Sequence, residues 1–280
     1  MSELFRFEFR RLFRRVSLYV CTGIAFLPAL FIMLSTLMST MMDGGSGMSR
    51  EYYVQLIFMI GNLPTFVIIF TSIFGCEDYS KGTAKTIFSL GYPRWQHFVA
   101  KFTASNVAAA LMYILIFSVS MIFTLFLPQK TFSANTAGEV NGLFGSSAPL
   151  YLIALQQLSS ILAIHAFIFM FAELVRKTGI AIIIGIFAPG LVSGAVTVFC
   201  AIMNSITGAY DNFNYSETIF DKIMFFFNSY WLSFGTSGSV MNNLSGGMKF
   251  DHVLSIVINI GYIIIFGGLA LFNMTKKEIK

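Results

Sequence analysis

The sequence predicts an all-α integral membrane protein with six transmembrane helices. Of its 280 residues, 56% are hydrophobic and 11% are charged, whereas soluble domains carry about 25% charged residues. The apolar residues form long runs, each comparable to the roughly 17 to 25 residues that a helix needs to cross a bilayer. No run has Asp, Glu, Lys or Arg near its centre. The predicted spans are residues 18–42, 54–76, 99–127, 149–172, 179–202 and 253–272.

The distribution of basic residues predicts the orientation of these spans. Fourteen of the 18 Lys and Arg residues precede the first span, follow the last span, or lie in segments 75–101 and 173–178. Lys and Arg in short loops stay on the cytoplasmic side of a membrane. Both termini are therefore predicted to be cytoplasmic, with 273–280 as a short tail. The net charge of +5 reflects this topology, so nucleic acid is not an expected partner.

Residues 1–17 precede the first span and have the pattern of an amphipathic helix. Aromatic rings recur every four residues, and a separate row of arginines follows the same spacing. Such a helix suits the cytoplasmic interface of a lipid bilayer, with rings among acyl chains and guanidinium groups among phosphates. The alternative is a basic flank without a defined helix. The predicted membrane-interface residues are Phe5, Phe9, Arg10, Phe13 and Arg14.

Segment 75–101 joins the second and third spans and is the most polar long stretch of the interior sequence. Ser80 is a predicted cap for a short helix starting near Lys81, and Gly91 suits a left-handed residue that ends it. Pro93 suits the first turn of the helix that continues into the third span. The segment is either a docking element for another protein or a structural loop.

The order of residues in this segment resembles a known family. The pattern E-D-x-x-x-G-T, then G-x-x-R, then Lys resembles the loop between spans two and three of type-2 ABC exporter permeases. These are the six-span membrane subunits of bacterial drug, bacteriocin-immunity and polysaccharide exporters. The basic amphipathic N-terminal helix resembles the connecting helix of that family. The residues that carry the pattern are Glu77, Asp78, Gly82, Thr83, Gly91, Arg94 and Lys101.

The resemblance implies that segment 75–101 contains a coupling helix, which docks into a groove of a separate soluble ATPase. It also implies two ATPase copies, a second permease subunit that is identical or homologous, and a location in the bacterial cytoplasmic membrane. Segment 173–178 would be a second, smaller cytoplasmic contact. The implied ATPase-coupling residues are Glu77, Asp78, Lys81, Gly82, Thr83, Lys85, Arg94, Glu173 and Arg176.

The chain has no sequence signature of an enzyme. A G-x-x-x-x-G-K-[ST] phosphate loop is missing from the sequence, as are the H-E-x-x-H and G-x-S-x-G motifs. We therefore expect a transport subunit without its own ATPase activity and without a bound cofactor. ATP and Mg²⁺ would be bound by the partner chain.

Polar residues are concentrated in the fourth span, within the single transmembrane domain 18–272. They would hydrogen-bond between helices or face a translocation path, and for His165 a satisfied interior histidine competes with a proton relay. The apolar, aromatic character of the spans favours amphipathic or hydrophobic cargo, such as antimicrobial peptides or drugs. The possible pathway residues are Gln156, Gln157, Ser160 and His165.

Segment 203–252 lies outside the membrane in the predicted topology and contains an aromatic run too short to span. The permease family places re-entrant helices here, which implies a partly inserted outer helix that closes the exit. An interfacial aromatic belt without a gating role is the alternative. The possible outer-gate residues are Phe225, Phe226, Phe227, Tyr230 and Trp231.

Two other functions compete with an ABC exporter permease. A non-transporting membrane scaffold or sensor subunit would share the docking segment but need no pathway. An ion-coupled secondary transporter is disfavoured because such proteins keep ionisable residues at membrane depth, which the predicted spans lack.

Overall fold

The elements of the described part of the chain are all α-helices. The computed structural model describes residues 2–42, 63–89, 91–124, 150–188, 191, 198, 202 and 249–276, and these ranges contain no strand. The all-helical prediction is therefore confirmed for these residues. The helices are α1 (Ser2–Phe13), α2 (Val16–Met42), α3 (Leu63–Ser80), α4 (Thr83–Ser89), α5 (Arg94–Thr124), α6 (Leu150–Val175), α7 (Thr178–Ala188) and α8 (Lys249–Lys276).

Four of these helices are long and apolar enough to cross a membrane. They agree with the first, third, fourth and sixth predicted spans. Helices α3 and α7 fall in the second and fifth predicted spans, but much of each of those spans lies outside the described residues. The candidate spans are Val16–Met38 in α2, Arg94–Phe123 in α5, Ala154–Val175 in α6 and Ser255–Lys276 in α8.

Helix α6 lies at the centre of the helical assembly. The most apolar window of α6 is 61% buried, against 22% for those of α2 and α8, and α6 packs against α3, α5 and α8. Its Phe169 is buried beside Phe98 and Phe102 of α5. By contrast, α2 and α8 turn large apolar side chains such as Phe31 and Ile264 outwards. Outward apolar side chains are the surface that a lipid environment requires.

Helix α3 approaches α6 and α7 closely at two small residues. A Cβ atom added to Gly75 of α3 would lie 2.7 Å from the Cβ of Ala172 in α6. A Cβ atom added to Gly185 of α7 would lie 2.5 Å from the Cγ2 of Ile68 in α3. Small residues at such crossings let helix backbones pack tightly. The Gly75 contact brings the C-terminal ends of α3 and α6 together.

The short helix between α3 and α5 starts at Thr83, two residues after Lys81, and without the predicted Ser80 cap. Helix α3 continues to Ser80, and the Ser80 hydroxyl donates a hydrogen bond back to the Glu77 carbonyl, so Ser80 does not cap α4. Gly82 has a positive φ of 69°. This left-handed conformation changes the direction of the chain before α4 begins at Thr83. At the other end Gly91, with φ of 85°, is the predicted left-handed residue.

Helix α1 lies where the sequence predicted an N-terminal helix. One face of α1 is buried against the rest of the chain. Leu4, Glu8 and Leu12 are buried, and their spacing puts them on one face. This helix packs against α5. Among the predicted interface residues, Phe5 and Phe9 are half-buried, whereas Arg10, Phe13 and Arg14 are exposed. The burial of an acidic residue within α1 was not predicted.

Candidate functional site

Ionisable side chains from four helices and the α1–α2 connection meet where α1, α3, α5 and α6 come together. Several are almost inaccessible to solvent, and a buried charge costs several kcal/mol unless another charge or hydrogen bonds compensate it. The arrangement therefore depends on mutual pairing. We call the following residues the charge cluster: Glu8, Arg11, Arg15, Glu77, Asp78, His97, Lys101 and Glu173.

Lys101 of α5 pairs with acidic residues from two other helices. Its Nζ lies 2.8 Å from Asp78 Oδ2 and 3.7 Å from Glu173 Oε1. It also donates a 2.7 Å hydrogen bond to the Gly75 carbonyl. Burial alone would raise the pKa of Asp78, but Lys101 and Arg11 outweigh burial and hold that pKa below its ordinary value. Asp78 therefore stays ionised at neutral pH.

Two arginines attach α1 and the α1–α2 connection to the end of α3. Arg11 donates a hydrogen bond to Asp78 Oδ1, and Arg15 pairs with Glu77. The Arg15 guanidinium also lies 4.9 Å from the centre of the Phe74 ring. Burial and then the charge of Arg11 lower the pKa of Arg15 to about 10, so Arg15 remains charged at neutral pH.

Tyr79 connects the end of α3 to the α6–α7 connection. Its hydroxyl donates a hydrogen bond to Glu173 Oε2, and burial together with the Glu173 charge raises the pKa of Tyr79. The phenol therefore keeps its proton. The guanidinium of Arg176 lies 4.7 Å from the centre of the Tyr79 ring. The two predicted cytoplasmic contact segments are thus joined within one chain.

Asp78 also holds the start of α4. Thr83, the first residue of α4, donates a 3.1 Å hydrogen bond to Asp78 Oδ1. The same carboxylate accepts from Arg11 of α1 and pairs with Lys101 of α5. One buried side chain, Asp78, therefore contacts α4, α1 and α5.

The implied ATPase-coupling residues divide into a surface group and an interior group. Lys81 and Gly82 are exposed, whereas Asp78 and Glu173 are each only 1% exposed. Asp78 and Glu173 are therefore buried against neighbouring helices of the same chain. Glu77 pairs with Lys81 at 2.5 Å. Lys85 lies in α4.

Arg94, another implied coupling residue, opens α5 and contacts two other helices. Its guanidinium lies 5.8 Å from the centre of the Phe88 ring of α4. It also donates a 3.4 Å hydrogen bond to the carbonyl of Thr275 in α8. Arg94 therefore links α4 to the end of the last helix.

The predicted pathway residues face other helices of the same chain. Gln156, Ser160 and His165 are buried, and Gln157 Oε1 accepts a 3.2 Å hydrogen bond from the Tyr113 hydroxyl of α5. The His165 ring lies beside Phe102 and Phe169, with centroid distances of 5.7 and 5.8 Å. The predicted outer-gate residues, Phe225, Phe226, Phe227, Tyr230 and Trp231, lie outside the described residues.

Sequence reasoning did not assign roles to Glu8, Arg11, Arg15 or His97. A signal existed in the spacing, since Glu8, Arg11 and Arg15 follow i, i+3, i+7 and so share a face distinct from that of Arg10 and Arg14. His97 and Lys101 are similarly spaced at i, i+4 on α5. Glu8, Asp78 and His97 each place one potential metal-ligand atom within 4.8 Å of the others.

Comparison with known proteins gives one family match. Residues 19–280 match the model of DUF2705, which is described as a protein of unknown function. The matched region includes all helices from α3 to α8 and nearly all of α2. No curated protein matches the sequence.

Proposed function

The chain belongs to the DUF2705 family, and we propose that it is the permease subunit of a bacterial ATP-driven ABC exporter that works with a separate ATPase. Helix α4 is the observation that carries this proposal. It is seven residues long and is bounded by Gly82 and Gly91, which both have positive φ. A short helix fixed between two longer helices is suited to docking in a groove of a separate subunit.

The two sides of α4 support this role. Ile87 is buried and Phe88 is half-buried against the chain, while Thr86 is exposed. On the flanking segments Lys81 is exposed, and Trp95 is 46% exposed. One face thus anchors the helix and the other is accessible to a groove of a partner, which is a common mode of helix recognition.

The charge cluster supports transmission of movement from α4. Thr83 is hydrogen-bonded to Asp78, which is paired with Arg11 and Lys101. In the proposed cycle, closure of two ATPases would move the coupling helices of two permease copies. Asp78 would pass that movement to α1 and α5, and the population would shift from inward-accessible to outward-accessible states.

From the sequence we further propose that the chain has six spans, cytoplasmic termini and a partly inserted outer segment. We also propose that it forms a dimer of identical or homologous permeases. The apolar surfaces of α2 and α8 are compatible with amphipathic peptides or hydrophobic drugs as cargo, because such molecules partition into lipid. Export of an antimicrobial peptide by this permease would also make the cell immune to that peptide.

Co-purification from the native membrane tests the proposal. The native chain is expected to retain a soluble protein with a G-x-x-x-x-G-K-[ST] phosphate loop. Thr86→Arg should reduce that retention at least about tenfold, a loss of about 1.4 kcal/mol or more in binding free energy, because it places a long charged side chain on the exposed face of α4.

Glu3→Arg provides the control, since Glu3 is also exposed but lies on α1, away from α4 and from the charge cluster. It should retain the ATPase like the native chain. If the native chain retains no ATPase in several mild detergents, the exporter proposal fails, and a scaffold or sensor subunit becomes the better account.

A further inference from the structure

Two buried side chains of the charge cluster lack hydrogen-bond partners among the residues that the structure describes. Both carboxylate oxygens of Glu8 and both ring nitrogens of His97 are unpaired, although these residues are 0% and 1% exposed. In the described part of the chain, the cation nearest to Glu8 is Arg11, with Nη1 at 3.5 Å from Oε1. Charge-assisted hydrogen bonds are about 2.7–2.9 Å long. Glu8 is therefore the under-compensated acid of the cluster.

The spacing between these groups fits a bound ion better than a shared proton. His97 Nε2 lies 3.7 Å from Glu8 Oε1 and 3.7 Å from Asp78 Oδ2. Two atoms that bind one ion at about 2.0–2.2 Å lie about 3.3–3.6 Å apart in tetrahedral geometry. A shared proton requires a separation of about 2.7–3.2 Å. Small side-chain movements would bring all three ligand atoms onto one ion.

We propose that Glu8, Asp78 and His97 bind a divalent first-row transition cation, with Zn²⁺ as the representative ion. One imidazole and two carboxylates suit Zn²⁺, Mn²⁺ or Fe²⁺, whereas Mg²⁺ and Ca²⁺ prefer oxygen ligands alone. This site does not depend on the proposed ATPase partner.

Neighbouring cations set the relative importance of the three ligands. Asp78 already accepts from Arg11 and lies 2.8 Å from Lys101 Nζ, and these positive groups repel an incoming ion. A carboxylate oxygen has two lone pairs, so Asp78 Oδ2 has room for the ion beside Lys101. Glu8 supplies most of the electrostatic attraction. Its loss should therefore weaken binding the most.

Binding would fix α1 in place. The three ligands come from α1, α3 and α5, so one ion would bridge the N-terminal helix and the two helices that flank α4. The ion would stabilise the same junction that Arg11 and Lys101 hold by ion pairing. Bound Zn²⁺ should therefore raise the melting temperature of the chain.

Equilibrium dialysis of the chelator-treated full-length chain in detergent, with excess Mg²⁺ present, tests the site. We expect about one Zn²⁺ per chain that Mg²⁺ does not displace. Glu8→Gln and His97→Ala should each weaken binding at least about tenfold, as the loss of one of three ligands from three different helices predicts. His165→Ala is the matched control, because His165 is also buried with unpaired ring nitrogens but lies outside the charge cluster.

X-ray absorption at the zinc edge of the native chain gives a readout that does not depend on variants. Imidazole nitrogen and carboxylate oxygen ligands without sulfur are expected. Sulfur ligation, unchanged binding by Glu8→Gln, or failure of the native chain to bind Zn²⁺ would each overturn the proposal. In the last case, a melting temperature that depends on pH through His97 would indicate a proton in place of the ion.

Discussion

Lys101 is a fully buried cation that compensates two buried acids. Its ammonium group pairs with Asp78 at 2.8 Å, lies 3.7 Å from Glu173, and donates to the Gly75 carbonyl. Removal of one partner from a buried ion pair leaves an uncompensated charge, which is far more costly than the loss of an exposed pair. The stability of the charge cluster therefore depends strongly on Lys101.

Lys101→Met should lower the free energy of unfolding by about 3–5 kcal/mol. The substitution keeps much of the side-chain volume but leaves Asp78 and Glu173 without their shared cation. Urea unfolding in detergent measures the loss. Lys177→Met is the control, since Lys177 is exposed and its substitution should change stability by less than about 0.5 kcal/mol. Equal stability of the two variants would show that the charge cluster does not hold the fold together.

At the scale of helices, the crossing of α3 and α6 depends on the missing side chain of Gly75. An added methyl group would lie 2.7 Å from the Cβ of Ala172. Because both groups are attached directly to helix backbones, neither can rotate away. The helices themselves must separate, and this separation would move Asp78 and Tyr79 relative to Glu173.

Gly75→Ala should therefore destabilise the chain by about 1–3 kcal/mol through overpacking. Gly179→Ala is the matched control, since an added Cβ there has nothing within 4 Å, and alanine favours the helical state. Thermal unfolding of both variants in the same detergent gives the comparison. A Gly75→Ala variant as stable as Gly179→Ala would contradict the close approach of α3 and α6.

Helix α1 should detach when its ion pair with α3 is removed. Arg11→Gln removes the charge that pairs with Asp78, and hydrogen bonds to charged groups contribute about 1.5–3 kcal/mol. Chymotrypsin cleavage after the exposed Phe7 and Phe13 should then become about tenfold faster or more. Arg10→Gln, at an exposed position of the same helix, should leave the cleavage rate unchanged. Equal rates for both variants would mean that Arg11 does not anchor α1.

The sequence predicts individual helices better than the contacts between them. Periodicity identified α1, and the lengths of apolar runs identified α2, α5, α6 and α8. Periodicity indicates which residues share a face, but it does not indicate which helix packs against that face. The Arg11–Asp78 and Tyr79–Glu173 contacts join residues 67 and 94 positions apart. The charge cluster therefore could not be predicted from the sequence pattern, because its residues meet only in the folded chain.

The wrong prediction of Ser80 as the cap of α4 has the same physical origin. Hydropathy ends the second apolar run near Cys76, yet α3 continues to Ser80. The polar residues of this last turn have partners in α1, α5 and α6, so the helix continues beyond its apolar segment. Gly91 was predicted correctly because a left-handed backbone conformation is a local property of glycine.

At the scale of the whole molecule, an apolar helical body carries the charge cluster at one end. The cluster binds α1 and contacts the start of α4 through Asp78. It is linked to the α6–α7 connection through Tyr79 and Glu173. The basic residues of the sequence lie mainly at the same predicted cytoplasmic side. In the proposed permease, α4 would receive the movement of an ATPase and Asp78 would pass it to the membrane domain.

Photo-crosslinking from the exposed face of α4 tests whether this helix docks to an ATPase. A photoreactive amino acid replaces Thr86 in the native membrane, and the same replacement at Ile122 of α5, also exposed, is the control. If α4 docks to an ATPase, position 86 crosslinks to a soluble protein with a G-x-x-x-x-G-K-[ST] phosphate loop, and position 122 does not. Crosslinks from position 86 to lipid alone, or to proteins without that loop, would contradict this docking.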